Sequence, residues 1–145
     1  MTGTTEAGLI REAMKAQTFS YTPYSRFRVG AALLAANGKI YHGCNIENAS
    51  FGATNCAERT AIFKAVSEGV TDFEAIAIVG NPEGSAEYDY CTPCGICRQV
   101  LAEFCDLDTF TVILAKSETD YRSFSLRELL PLAFTGKSME KKHGR

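Results

Sequence analysis

Residues Phe27–Ile46 read FRVGAALLAANGKIYHGCNI, and the fold turns on how this run is divided. Val29 to Ala36 is apolar almost without a break, Ile40 to Ile46 mixes apolar with polar residues, and Asn37-Gly38 stands between them. Both residues of that pair accept a positive φ, which makes the pair a strong signal for a tight hairpin turn. The run is therefore expected to form two strands joined back to back.

Working outward, Glu6–Gln17 carries Leu9, Ile10, Ala13 and Met14 at helical spacing, with Thr4 or Thr5 available as a cap. Downstream, NCAERTAIFKAVSEG (55–69) repeats Ala61, Ile62, Ala65 and Val66 on one face, with Asn55 placed to cap it and Gly69 after its end. FEAIAIVG (73–80) is a short, nearly continuous apolar strand. A polar loop follows, then the helix CGICRQVLAEFC (94–105), the buried strand FTVILA (110–115) and a short closing helix in SLRELLPLAF (125–134) that Pro131 interrupts or ends. Helix, hairpin, helix, strand, helix, strand describes an α/β domain with helices covering a mixed sheet. No repeat, low-complexity segment or linker interrupts it. One domain is expected over 1–136, with 137–145 (KSMEKKHGR) a flexible basic tail.

The chain has 145 residues, enough for one sizeable core. The formal net charge is −2, and Lys and Arg gather only in the tail, so a long polyanion such as nucleic acid is disfavoured and a small-molecule partner favoured. No basic and apolar leader opens the sequence, and no stretch reaches the roughly 18 apolar residues of a membrane span. A cytoplasmic protein is expected. Its six cysteines, at 44, 56, 91, 94, 97 and 105, should then be mostly thiols, with C-x-x-C serving metal or catalysis rather than a disulfide framework.

Three cysteines, Cys91, Cys94 and Cys97, are equally spaced in YCTPCGICRQ (90–99). Pro93 suits the first turn of a helix and biases Thr92 away from helical angles. Cys94 and Cys97 are thus expected one turn apart on one face, near a helix N-terminus that favours thiolates, with Cys91 left outside. Zinc in a catalytic site takes three protein ligands and keeps a fourth position open. Cys56 also heads a helix and is the candidate third ligand. Glu58, two residues on, points beside the metal rather than at it, where a carboxylate can shuttle protons. An iron–sulfur run would need a cysteine at 101, which is Leu. Thioredoxin-like redox chemistry leaves Glu58 and the second cysteine-headed helix without a purpose.

Cys56-Ala57-Glu58-Arg59-Thr60-Ala61 with Pro93-Cys94-Gly95-Ile96-Cys97-Arg98-Gln99 resembles the cytidine deaminase family in its short, homotetrameric form. The resemblance runs from the Tyr24-Ser25 region to Leu130-Pro131. It implies a three-layer cytidine-deaminase-like fold, with a mixed five-stranded sheet covered by helices. It also implies one Zn2+ per subunit on Cys56, Cys94 and Cys97, and Glu58 as the catalytic acid and base. The implied reaction is hydrolytic deamination of cytidine and deoxycytidine at ring carbon 4, in pyrimidine salvage. Arg59 and Gln99 are expected to donate to the thiolate sulfurs, which offsets the net negative charge of a three-thiolate zinc site. Arg98 is either a site residue or a surface arginine. By the same resemblance, Phe27 packs on the pyrimidine, the Ala57 N–H faces the pyrimidine carbonyl, and Asn45 and Glu47 hold the ribose 3′-hydroxyl. Phe134 is expected to enter a neighbouring subunit's site in a homotetramer with shared active sites.

Phe51 stands where relatives commonly carry Tyr, and the acidic stretch Gly84–Tyr90 has no assigned role. Cys44 and Cys105 are expected to be packing thiols. The rivals within the same chemistry are deoxycytidylate and nucleic-acid-editing deaminases, which usually place His at the first ligand position, and blasticidin-type deaminases. The rival outside it is a non-catalytic structural zinc module.

Overall fold

The structure, a computed structural model, describes residues 3–142. The first helix, α1, spans Glu6–Gln17 as expected; the Thr5 hydroxyl accepts from the Gly8 N–H at 2.9 Å, relieving one of the orphan donors of the first turn. Strands β1 (Phe27–Ala35), β2 (Ile40–Cys44), β3 (Phe73–Pro82), β4 (Thr111–Ala115) and β5 (Tyr121–Ser125) form one sheet in the order β2-β1-β3-β4-β5. Only β3 and β4 run parallel; the other pairs are antiparallel. Helices α2 (Ala57–Ser67), α3 (Gly95–Phe104), α4 (Leu126–Leu129) and α5 (Gly136–Lys142) complete the chain.

Alternation along the strands builds two cores. Leu9, Ile10 and Ala13 of α1 pack with Ala32, Leu34, Ala77, Val79 and Ile113 on one face. On the other, Ala31, Leu33, Ile76, Ile78 and Val112 meet Ala61, Ile62 and Ala65 of α2, Leu101 of α3 and Leu126 of α4. The central strands read as unbroken apolar runs because helices cover both faces. The expected three-layer, mixed five-stranded architecture is therefore the observed one.

Gly43 lets α2 lie directly on the sheet edge: a Cβ there would sit 2.2 Å from the Ala57 carbonyl oxygen and 2.6 Å from the Ala61 nitrogen. The close approach fixes the first turn of α2, which carries Cys56 and Glu58, against β2.

Three local expectations change. Asn37 is not left-handed; Gly38 alone is (φ 89°), so the hairpin closes through a β-turn with a left-handed glycine. The Asn37 side chain instead accepts from the Lys39 N–H at 2.9 Å. Asn55 does not cap α2, because its amide donates to Thr60 Oγ1 and Cys56 occupies the cap position. Helix α3 begins two residues after Pro93, with Cys94 as its cap, and the Pro93 carbonyl accepts from Arg98 Nε at 2.8 Å. Helix α5, Gly136–Lys142, runs from the last residue of the expected domain into the expected tail 137–145, with the Ser138 hydroxyl accepting from the Thr135 N–H; positions 143–145 lie outside the described residues.

Candidate metal and active site

Cys56 and Cys94 are the N-caps of α2 and α3, and neither helix has a side-chain cap. Both N-termini therefore present free N–H groups and the positive end of the helix dipole toward the cysteines. Cys97 lies one turn into α3 and is fully buried. The three Sγ atoms all lie within 4.8 Å of one another, with Cys56–Cys94 at 3.9 Å and Cys94–Cys97 at 3.5 Å. A tetrahedral zinc with Zn–S bonds of about 2.3 Å holds its sulfurs roughly 3.8 Å apart, so this donor set fits zinc in both chemistry and spacing. Among the described residues it is the one such metal-capable group, and Cys91 is not in it.

Arg59 sits three residues beyond Cys56, and its Nη2 donates to Cys56 Sγ at 3.4 Å. Its Nε is buried without a partner. Hydrogen bonding with Cys97, with help from Arg59, draws the Cys56 thiol down to about 5 against the effect of burial. The same pairing and burial push Cys97 up. Glu58 is 4 % exposed, and its carboxyl is raised to about 7, by burial first and by the Cys56 charge as well. A carboxyl poised there can both accept and donate a proton near neutral pH. Cys91 is packed close by, and burial, with the Glu58 and Cys56 charges, pushes its thiol up to about 12.

The expected substrate residues form a second group along the start of β1. Asn45 clips this strand with both ends of its amide: Oδ1 accepts from the Val29 N–H and Nδ2 donates to the Phe27 carbonyl, each at 2.9 Å. Glu47 Oε1 accepts from the Tyr24 and Ser25 N–H groups, and the Ser25 hydroxyl donates to Oε2. These contacts hold the Glu47 carboxyl below its ordinary range. The Phe27 N–H donates back to Ser25 Oγ at 3.0 Å. Arg26, between them, is left-handed (φ 59°), a conformation that costs a non-glycine residue about 1–3 kcal/mol and persists only where its surroundings impose it. Here the Arg26 N–H bonds Thr22 and its carbonyl accepts from Glu83, while Ser25 and Phe27 are fixed on either side. Tyr24, Ser25, Glu47, Phe51 and Thr54 line a cavity of about 380 Å³, in which Phe51 meets Tyr24 edge to face at 6.1 Å.

Gln99 is placed differently from the expectation. Its Nε2 donates to the Phe134 carbonyl at 2.8 Å rather than to a thiolate, because its position on α3 faces the C-terminal segment. Arg98 proves to be a backbone tie, donating from Nε to Pro93 and from Nη1 to the Leu129 carbonyl. Phe134 is 59 % exposed, and no aromatic contact joins it to Phe27 among the described residues. Sequence reasoning missed the parts played by Ser25 and Arg26, whose only signal is their place directly before Phe27.

The cytidine and deoxycytidylate deaminase zinc-binding region matches residues 4–113. The chain is 53 % identical over 127 residues to a cytidine deaminase of Sporosarcina psychrophila, covering 88 % of this chain and 89 % of that one. It is 52 % identical over 131 residues to a cytidine deaminase of Halalkalibacterium halodurans, covering 90 % and 95 %. The crystal structure of cytidine deaminase from Burkholderia pseudomallei superimposes with a TM-score of 0.80 at 46 % identity, over 90 % of this chain and 99 % of that one. Three converging thiols, a buried glutamate beside them and these likenesses agree: the chain belongs to the cytidine and deoxycytidylate deaminase family defined by this zinc-binding region.

Proposed function

We propose that the chain catalyses zinc-dependent hydrolytic deamination of cytidine and deoxycytidine, giving uridine and deoxyuridine and releasing ammonia. The observation that carries this reading is the buried Glu58 lying beside three thiols spaced for zinc. Cys56, Cys94 and Cys97 hold one zinc per subunit, which when bound supplies the Lewis acidity that makes a water nucleophilic near neutral pH. Arg59 withdraws charge from Cys56 and orients it.

Glu58 does the proton work. It takes a proton from the attacking water and passes it to ring nitrogen 3 as ring carbon 4 is attacked. It then takes the remaining proton from the hydroxyl newly bonded to ring carbon 4 and delivers it to the amino group, which leaves as ammonia as that oxygen becomes the product carbonyl. Its raised pKa supports both directions of transfer. The Ala57 N–H, in the first turn of α2 where no intrahelical acceptor is available, donates to the pyrimidine carbonyl. Phe27 packs on the base, while Asn45 and Glu47 hold the ribose 3′-hydroxyl. Each already spends hydrogen bonds on the backbone, which supports their being fixed before substrate arrives.

A homotetramer with shared active sites accounts for Phe134, whose exposed ring is free to enter a neighbouring subunit. No described helix is long and apolar enough to cross a membrane. A nucleoside substrate and a cytoplasmic setting complete the reading. The test is the ultraviolet change of cytidine to uridine, with deoxycytidine, cytosine, deoxycytidylate and blasticidin in parallel. Turnover of the two nucleosides alone is expected; turnover of blasticidin alone, or of nothing, contradicts the reading.

A further inference from the structure

The acidic stretch that leaves β3 and returns to Cys94 is fastened at two points. Tyr88 donates to Gln17 Oε1 at 2.8 Å, and Gln17 Nε2 donates to Asn81 Oδ1 at 2.7 Å and to the Arg28 carbonyl at 2.9 Å. Asn81 Nδ2 closes the circuit on the Ser85 carbonyl at 2.7 Å. Gln17 and Asn81 are only 4 % and 7 % exposed, and a buried polar circuit with every member paired rigidifies what it joins. Two residues on, Tyr90 donates to Asp120 at 2.7 Å. Its ring has Lys116 Nζ at 4.7 Å and the Arg122 guanidinium at 5.0 Å from the centroid.

Between these fasteners Asp89 bridges to Gly80 of β3. Gly80 is the point of contact with the site. A Cβ there would lie 3.0 Å from Cys91 Sγ and 3.0 Å from Phe27 Cε1. Thus Cys91 and the Phe27 ring close over the same side-chain-free position. Phe27, Tyr88, Tyr90 and Lys116 also border one cavity of about 380 Å³. Phe27 is 38 % exposed and shares the wall of that cavity with the fastened segment.

We propose that Ser85–Cys91 is a strap that sets the Phe27 ring against the substrate base, with Tyr88 and Tyr90 as its positioning residues. The proposal rests on the deaminase reading and on Phe27 as the base contact. A base contact is made in ground state and transition state alike, so loosening the strap raises KM and leaves kcat near its original value.

The test is steady-state kinetics with cytidine, together with zinc content and thermal unfolding. Tyr90→Ala is expected to raise KM ~3- to 10-fold with kcat within about 2-fold, the pattern of lost uniform binding, and with one zinc per chain retained. Tyr90→Phe, which keeps the ring between its cations, is expected to restore KM to within about 2-fold of the original. In a Phe27→Ala background, Tyr90→Ala should raise KM no further, because the strap acts through that ring. If Tyr90→Ala does not fold, the Lys116→Ala, Arg122→Ala double variant strips the ring of its cations and is expected to raise KM ~2- to 3-fold. An unchanged KM in the folded variants, a full further rise in the Phe27→Ala background, or a normal KM for Phe27→Ala alone overturns the proposal. Wild-type protein that leaves cytidine unchanged overturns the deaminase reading instead, and that control separates the two failures.

Discussion

Arg59 Nη2 lies 3.4 Å from Cys56 Sγ, so a residue one turn along α2 folds back onto the sulfur of the residue at that helix's N-cap position. Metal ligation and helix register are thereby coupled. Removing a group that orients a metal ligand typically costs 10–100-fold in metal affinity, and Arg59→Ala is expected to weaken zinc by about that factor. Competition with a chelating dye measures it, with circular dichroism to show an intact fold. Unchanged zinc affinity would remove Arg59 from the site.

The close seat of α2 on Gly43 makes a second prediction. Gly43→Ala places a methyl 2.2 Å from a backbone carbonyl, so the helix that carries Cys56 and Glu58 must shift. Overpacking of this kind costs about 1–3 kcal/mol, and a fall in both Tm and zinc affinity is expected. Gly52→Ala, where nothing lies within 4 Å of the added atom, is the control and should leave Tm unchanged.

Glu47 supplies a pH dependence. Its folded pKa is depressed by Ser25 and Tyr24, so its contribution to stability is present above the ordinary glutamate range and is lost as pH falls through the folded value. Glu47→Gln should therefore be less stable than wild type at neutral pH, and the gap in Tm should close under acid. A gap that widens on acidification contradicts the assignment.

Among the cysteines, Cys94→Ser is expected to lose zinc, and Cys91→Ser to keep one zinc per chain. Metal analysis after dialysis distinguishes them. Loss of zinc from Cys91→Ser would mean that the wrong pair of the three had been assigned to the metal.

Much of this was legible in the sequence where local chemistry and long-range packing agree. The α1 boundaries follow from Thr5 and the apolar face of Leu9, Ile10 and Ala13, and the metal trio from Cys56 and Cys94 heading two helices. Other features depend on contacts that spacing does not encode. Pro93 precedes α3 rather than opening it because its carbonyl is held by Arg98. Gln99 turns to Phe134 because the C-terminal segment passes α3 on that side. Strand β5, Tyr121–Ser125, has no buried residue and little apolar pattern; it is a strand through its antiparallel ladder with β4. The strap went unassigned because Tyr88 and Tyr90 find partners 71 and 30 residues away.

In the proposed reaction Glu58 carries protons beside a metal that it does not bind. Glu58→Gln keeps the shape of the side chain and removes its ability to accept and return a proton. The direct measurement is kcat for cytidine alongside zinc content. One zinc per chain and a loss of ~10²- to 10⁴-fold in kcat are expected, the usual weight of a positioned acid–base group. A kcat close to wild type, or loss of the metal with the carboxylate, would contradict that role.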